Sequence, residues 1–397
     1  MKNYDLISPE GTRDLILGDC AAVRSVEERL HRIFISGGYN EVITPGIEFY
    51  DVFNQKSRYF PQESMYKLVD GKGRLLVVRP DSTMPIARVV STRMREQPLP
   101  IRLFYSQNVF RIKPSMRGRS DEIRQTGIEL IGSDSKRADI EVIYKAIEAL
   151  SSCEPDNFRL EIGQIGYFKE LVRNLDTDAE TVEKIRGFIE AKNYPALNDL
   201  LDEFGDSAAA AALKKLPRLF GEAEVLDEAE KLFSNDETHN VLSQLRSIYN
   251  EISYLGYSDK VTVDLGLVNR MDYYTGTVIK GYLHGYGDAV LSGGRYNRLL
   301  SEYGYDVPAT GFAVNVDAAA KVLRSECDFT PVSADILVYG ESGFEAAAVQ
   351  YCSRLARNGK IAENALFDSL DEAKEYAAKK NIKQIAVVTE TVRILNI

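Results

Sequence analysis

Apolar side chains recur at three-and-four spacing between residues 19 and 36. Val23, Val26, Leu30, Ile33 and Phe34 share one stripe, and Gly37-Gly38 closes it. That spacing predicts an amphipathic helix with a glycine stop. GYNEVITPGIE, 38–48, reads as a strand interrupted by Pro45. GRLLVVRPDSTMPIARVV, 73–90, reads as a strand turning at Pro80 into a helix, because Asp81, Ser82 and Thr83 are good helix-start residues. IRLFYSQNVFRI, 101–112, and EIRQTGIELIG, 122–132, are strands on either side of a polar hairpin tip, KPSMRGRSD, 113–121. Ile140, Ile143, Ile147 and Leu150 put another helix at 138–150.

From about 167 to 256 the pattern turns helical almost throughout, with an Ala-rich tract at 208–212, as in an all-helical insertion. Strands resume at 261–265, 271–282 and 287–292. Within LVNRMDYYTGTVIKGY, 267–282, a strand sends Tyr273 and Tyr274 to opposite faces. SGGRYNRLL, 292–300, reads as a glycine turn into a helix, and VPATGFAVNVDAAAKVL, 307–323, as a small-residue strand followed by a helix. After a break at 325–334, ILVYG, helices at 343–358 and 369–380, and KQIAVVTE make a small α/β tail. Hairpins with attached helices, then an alternating tail, predict an α+β fold around an antiparallel sheet. The expected divisions are a core at 1–166 and 257–325, a helical insertion at 167–256, and a C-terminal α/β domain at 330–397.

Parity on 122–131 places Gln125, Gly127 and Glu129 on one face. An amide and a carboxylate flanking a missing side chain suit a small polar ligand that approaches the backbone closely. A solvent-facing strand with an incidental glycine gives the same letters. Arg111 ends the paired strand, and its fork suits a carboxylate or phosphate, although a surface arginine is commoner. Asp81 and Thr83 open a helix, and capping accounts for at least one of them. Tyr273 or Tyr274 either walls the pocket with a hydroxyl at its tip or sits in the core. Together these residues describe a site holding an amine against Glu129 and Asp81, a carboxylate against Arg111 and a ring against tyrosine. Lys113, Arg117 and Arg119 form a compact basic cluster in the hairpin tip, which a solvated loop also explains.

Composition narrows the function. The net charge of −10 disfavours a polyanion as the main partner. Cys20, Cys153, Cys327 and Cys352 match neither a zinc spacing nor a dense disulfide framework, so reduced thiols are expected. Three histidines, His31, His239 and His284, make a His-rich metal site or His-based nucleophilic catalysis improbable. His31 shares a helix with Val23, Leu30 and Phe34, which points to a helix-surface role. No N-terminal signal core and no run of roughly 18 apolar residues occur, so a soluble cytoplasmic protein without a membrane partner is expected. No cofactor and no metal are expected.

The ordered motifs resemble histidyl-tRNA synthetases across roughly residues 5–325. PEGTRDL, 9–15, is similar to the N-terminal signature, and GYNEVITPGIE to class II motif 1, which packs the dimer in that family. VFRIKPSMRGRSDEIRQTGIELIG resembles motif 2, LVNRMDYYTGTV and SGGRYNRLL the two histidine motifs, and TGFAVNVDAAA motif 3. The resemblance implies a class II aminoacyl-tRNA synthetase-like antiparallel sheet. It also implies a histidine pocket of Asp81, Thr83, Arg111, Gln125, Glu129, Tyr273 and Tyr274, with Asp81 one methylene shorter than the usual Glu.

The adenylation residues of that family are missing. Lys113 replaces the motif 2 acid, Ile123 the adenine-stacking Phe, Asn269 the catalytic Arg, and Asp317-Ala318 the motif 3 Glu-Arg pair. Arg270, next to Asn269, points the other way if that segment is a strand. Two arginines that would offset phosphate charge in the transition state are therefore lost. The tail resembles a curtailed anticodon-binding domain, and its ten Asp/Glu against eight Lys/Arg suit tRNA poorly. A retained histidine pocket without activation chemistry resembles the ATP phosphoribosyltransferase regulatory subunits. That resemblance implies a non-catalytic chain that binds L-histidine for feedback control and activates a short-form catalytic subunit. The implied assembly is a dimer of this chain within a hetero-octamer. An active synthetase or a related adenylate-forming enzyme is the alternative.

Overall fold

The computed structural model describes residues 4–54, 61–112, 120–268, 274–327, 329 and 333–397. Lys113, Arg117, Arg119, Asn269, Arg270 and Tyr273 lie outside the described residues. The chain divides into two compact units, Met1–Phe329 and Thr330–Ile397.

The first unit opens with α1 (Gly18–Ser36), then β1 (Asn40–Glu41), β2 (Ile47–Phe49), β3 (Lys67–Val69) and β4 (Leu75–Val78). α2 (Thr83–Arg93) leads into the hairpin of β5 (Ile101–Phe110) and β6 (Glu122–Ile131), followed by α3 (Lys136–Cys153) and β7 (Phe158–Gln164). Next come α4 (Ile165–Arg173), α5 (Ala179–Glu190), α6 (Tyr194–Asp202), α7 (Ala208–Lys215), β8 (Phe220–Gly221), α8 (Glu224–Leu232) and α9 (Asp236–Tyr254). β9 (Val261–Asp264), β10 (Thr277–Leu283), β11 (Leu291–Arg295), β12 (Ala309–Asn315) and α10 (Val316–Glu326) complete it. Nine strands form one sheet in the order β1-β5-β6-β12-β11-β10-β7-β9-β8, and β2-β4-β3 form a small separate sheet.

The side-chain period of two gives the large sheet two distinct faces. Phe104, Ile128 and Phe312 are register partners on one face, where α1 seats Phe34 against Phe104 and Phe312. α3 lies on that face too, because a methyl on Gly281 would meet Leu150 at 2.8 Å. The opposite face carries Tyr105, Gly127 and Ala313 in one row and Glu129, Gly311 and Gly294 in the next. His31 packs its ring against Phe104, with centroids 5.2 Å apart, so its place is inward and not on the helix surface as expected.

In the second unit β13 (Ile336–Gly340), α11 (Glu345–Arg357), β14 (Ala362–Asn364), α12 (Leu370–Lys379), β15 (Gln384–Val388) and β16 (Val392–Asn396) form a four-stranded sheet ordered β14-β13-β15-β16. Strand alternation again separates two cores. Ile336, Val338, Ala386 and Val388 pack with Ala348 of α11, while Leu337, Tyr339, Ile385 and Val387 pack with Ala373 and Ala377 of α12.

Several expected elements differ. The segment at 38–48 is not one strand, since β1 joins the large sheet and β2 the small one. SGGRYNRLL is not a turn into a helix. Ser292–Arg295 are ladder residues of β11, and only a short 3-10 turn, Leu300–Tyr303, follows. The glycines serve close packing instead: a methyl on Gly293 would collide with Gly311 and Phe312 of β12. Regular pairing begins at Thr277, so Tyr274 precedes the strand expected at 271–282. The stretch 167–256 is not wholly helical either, because β8 pairs with β9 at the sheet's end.

Arg295 shows what this ladder holds. It is buried, and its Nε lies 3.0 Å from Asp139 Oδ1 in the first turn of α3. Its Nη1 donates to Ser133 O at 2.9 Å. Removing one partner of a buried ion pair leaves an uncompensated charge. Asp139→Ala is therefore expected to cost about 3–5 kcal/mol of unfolding free energy, measured by urea denaturation followed by circular dichroism.

Candidate functional site

The site is built where β4 turns into α2. Arg79, a buried guanidinium, locks that corner onto β5. It donates to Thr44 O at 2.8 Å, Gln107 Oε1 at 3.0 Å and Asn108 O at 2.8 Å. Two residues on, Asp81 Oδ1 accepts the Met84 N–H at 2.8 Å and caps α2 in place of Ser82. A carboxylate at a helix N-terminus is stabilised by the unpaired amides there. Arg111, at the end of β5, donates from Nε to Pro80 O at 2.7 Å and brings Nη2 within 3.8 Å of Asp81 Oδ2.

Thr83 does not cap. Its Oγ1 donates to Glu129 Oε1 at 2.8 Å, and the Tyr296 hydroxyl donates to Glu129 Oε2. Glu129 is 2% exposed and Asp81 4%. Glycines make the room around them. A methyl on Gly311 would collide with the Glu129 carboxylate, and one on Gly127 would sit 2.7 Å from the Tyr105 hydroxyl. The Tyr274 ring lies over Gly294, where a methyl would stand 3.0 Å from it.

Burial raises the Glu129 carboxyl to about 8, against the pull of the Tyr296 and Thr83 hydrogen bonds, and the neighbouring Asp81 adds to the rise. Burial also raises Asp81, opposed by Arg111 and by the backbone amides of Met84, Thr83 and Ser82. The Tyr105 phenol is pushed well up by burial, then by Glu129, Asp81 and Tyr274. Two acids in one dry recess favour a ligand that brings positive charge. Arg111, beside Asp81, adds a positive charge at the edge of these acids.

The structure thus brings together Asp81, Thr83, Arg111 and Glu129, with the Tyr274 ring over Gly294 in the same row as Glu129. Gln125 shares the face, half-buried in the row of Gln107 and Asn315, roughly 14 Å along the strand from Glu129. Tyr273 lies outside the described residues. Sequence reasoning missed Tyr105 and Tyr296. Tyr105 is the register partner of Gly127, and an aromatic facing a glycine across a hairpin was the available signal. Tyr296 was hidden by reading its segment as a helix.

The positions that the resemblance assigns to adenylation hold neither an arginine nor an aromatic ring where described. Ile123 is buried opposite Val109, and Ala318 is buried in the first turn of α10. Asp317 accepts the Arg124 N–H at 2.8 Å and the Arg13 guanidinium at 3.1 Å. Among the described residues no group of three His, Cys, Asp or Glu side chains is placed to hold a metal, and no helix is long and apolar enough to cross a membrane.

Glu129 carries a stability signature. Its carboxyl titrates near 8 in the fold but at about 4.3 when unfolded. The neutral form therefore stabilises the fold fully below the unfolded pKa, and that contribution is lost as pH rises through the folded one. Glu129→Gln stays neutral. It is expected to gain stability relative to the ligand-free parent chain as pH rises from about 5 to about 8. Thermal unfolding across that range checks it, and a difference independent of pH would contradict the assignment.

The profile of the family described as histidyl-tRNA synthetase matches residues 11–319. An ATP phosphoribosyltransferase regulatory subunit of Clostridium kluyveri is 40% identical over 391 residues, covering 98% of this chain and 100% of the relative. Its counterpart in Bacillus mycoides is 39% identical, covering 97% and 92%. A crystal structure from Bacillus halodurans, described as an ATP phosphoribosyltransferase regulatory subunit/histidyl-tRNA synthetase, superposes with a TM-score of 0.86 at 27% identity, covering 98% of this chain and 100% of that one. A histidyl-tRNA synthetase from a Nostoc species shares the fold, with a TM-score of 0.79 at 18% identity, covering 100% and 95%. This chain belongs to the ATP phosphoribosyltransferase regulatory subunits, a family built on the class II synthetase fold of histidyl-tRNA synthetase.

Proposed function

We propose that this chain senses L-histidine through the recess around Glu129 and passes its occupancy to a short-form ATP phosphoribosyltransferase catalytic subunit. Family membership makes it a non-catalytic regulatory subunit related to histidine biosynthesis. The observation that carries the ligand assignment is the pair of buried acids, Asp81 and Glu129, with Arg111 3.8 Å from Asp81. An α-amino acid with a basic ring supplies the matching charges: an ammonium, a carboxylate and an imidazole that takes or gives a proton near neutral pH. Asp81, Thr83, Arg111, Gln125, Glu129, Tyr273 and Tyr274 form the proposed pocket, joined by Tyr105 and Tyr296.

The proposed assembly is a dimer of this chain within a hetero-octamer. Exposed apolar residues around motif 1 suit the dimer contact: Ile43, Ile47 and Phe49, with Leu68, Val69 and Leu75 from the same small sheet or its edge. The proposed domain division is a synthetase-like core, 1–166 and 257–325, a helical insertion, 167–256, and an anticodon-binding-like α/β unit, 330–397. The cytoplasm is its proposed location. The acidic excess of 328–397, ten against eight, argues against a tRNA partner.

If histidine shifts a two-state assembly, its coupling to the catalytic subunit's substrates is reciprocal, typically about 1–3 kcal/mol. The test is the complex reconstituted with the short-form catalytic subunit, assayed for condensation of ATP with phosphoribosyl pyrophosphate. Glu129→Ala is expected to preserve activation while raising the histidine concentration for half-inhibition at least about tenfold, the loss of one charged hydrogen-bond partner. Unchanged inhibition in Glu129→Ala would overturn the reading.

A further inference from the structure

Among the described residues, α4 links the helical insertion to the segment just before β10. Lys169, an exposed residue, donates from Nζ to the Tyr274 carbonyl at 2.7 Å. One turn earlier the Ile165 N–H donates to Gly276 O at 3.2 Å. On its other side the same segment is tied to β11, with Thr275 N–H donating to Arg295 O at 2.7 Å and Asn297 N–H to Thr275 Oγ1 at 2.9 Å. Residues 274–276 are therefore stretched between α4 and the end of β11, outside any ladder of their own. The Tyr274 ring reaches over Gly294, which shares a row with Gly311 and Glu129.

The opposite side of α4 is fastened to the insertion. The Tyr167 hydroxyl donates to Ala229 O of α8 at 2.8 Å. Glu170, adjacent to Lys169 and buried, accepts from Asn235 Nδ2 at 3.0 Å. Asn235 is itself the capping-box residue at the start of α9. One helix thus grips the insertion with Tyr167 and Glu170 and the pocket wall with Lys169.

We propose that Lys169 is a positioning residue for Tyr274, and that through it the helical insertion responds to occupancy of the pocket. A bound ligand fixes the Tyr274 ring, the ring fixes its carbonyl, and the carbonyl holds Lys169 and with it α4. This link rests on the histidine reading for its ligand but not for its geometry, so the two fail separately.

The experiment compares the full-length parent chain with Lys169→Met and Lys169→Arg by hydrogen exchange and by L-histidine titration calorimetry. Met keeps the apolar stem and loses the donor, while Arg keeps a donor. Without ligand, peptides covering 274–276 are expected to exchange about fivefold faster in Lys169→Met than in the parent chain, with Lys169→Arg close to the parent. With histidine, affinity is expected to fall about fivefold in Lys169→Met, and ligand protection of α4 and the first turn of α9 to disappear while protection of β6 persists. Such selective loss distinguishes positioning from general destabilisation, which would speed exchange everywhere. Exchange at 274–276 unchanged in Lys169→Met, or equal losses in Met and Arg variants, would overturn the proposal. A parent chain that gives no histidine heat would refute the ligand reading, and the ligand-free exchange would still decide the role of Lys169.

Discussion

A carboxylate sealed from water is the constraint around which the first unit is arranged. Glu129 stands on β6, between β5 and β12 in the large sheet, and costs free energy if it ionises there unpaired. Its neighbours answer that cost in two ways. Thr83 and Tyr296 each donate a hydroxyl to it, and Gly311, Gly127 and Gly294 leave room for the Glu129 carboxylate, the Tyr105 hydroxyl and the Tyr274 ring. These residues come from four separate stretches of chain. The β4–α2 corner, the β5–β6 hairpin and the paired strands β11 and β12 must therefore all be in register for one acid to be tolerated. Arg79 and the Arg295–Asp139 pair hold that register from beneath and beside.

The same arrangement separates ligand capture from adenylation chemistry. Capturing a small amino acid needs complementary charge at fixed positions, and the proposed pocket draws it from Asp81, Glu129 and Arg111. Activating it needs cations aimed at phosphate oxygens and a platform for the base. At the corresponding described positions stand Ile123, Ala318 and Asp317, and Asp317 is already engaged by Arg13 and the Arg124 amide. A pocket without its reaction suits a regulatory subunit, because binding energy is then available to bias an assembly and is not consumed in a transition state.

Much of this was legible in the sequence where a period or a local rule governs. Parity on 122–131 put Gln125, Gly127 and Glu129 on one face, and the ladder has them so. The helix at 19–36 and the strand–helix turn at Pro80 followed from stripe and cap chemistry. The losses come where tertiary context overrules local pattern. Ser292–Arg295 looked like a turn because glycine usually breaks strands, yet here glycine lets β11 approach β12. That misreading hid Tyr296. Tyr274 was given a strand's parity although its segment bonds to α4 and to the end of β11. β8 is a two-residue strand that exists only through its partner in the sheet, β9, so no local signal announces it.

The measurement that bears most directly on this account is titration calorimetry of the isolated full-length chain, with L-histidine as one ligand and ATP as the other. A pocket retained without its activation machinery predicts saturable heat from histidine and none from ATP. Heat from ATP accompanied by histidine-dependent pyrophosphate exchange would contradict it and return the chain to the adenylate-forming enzymes.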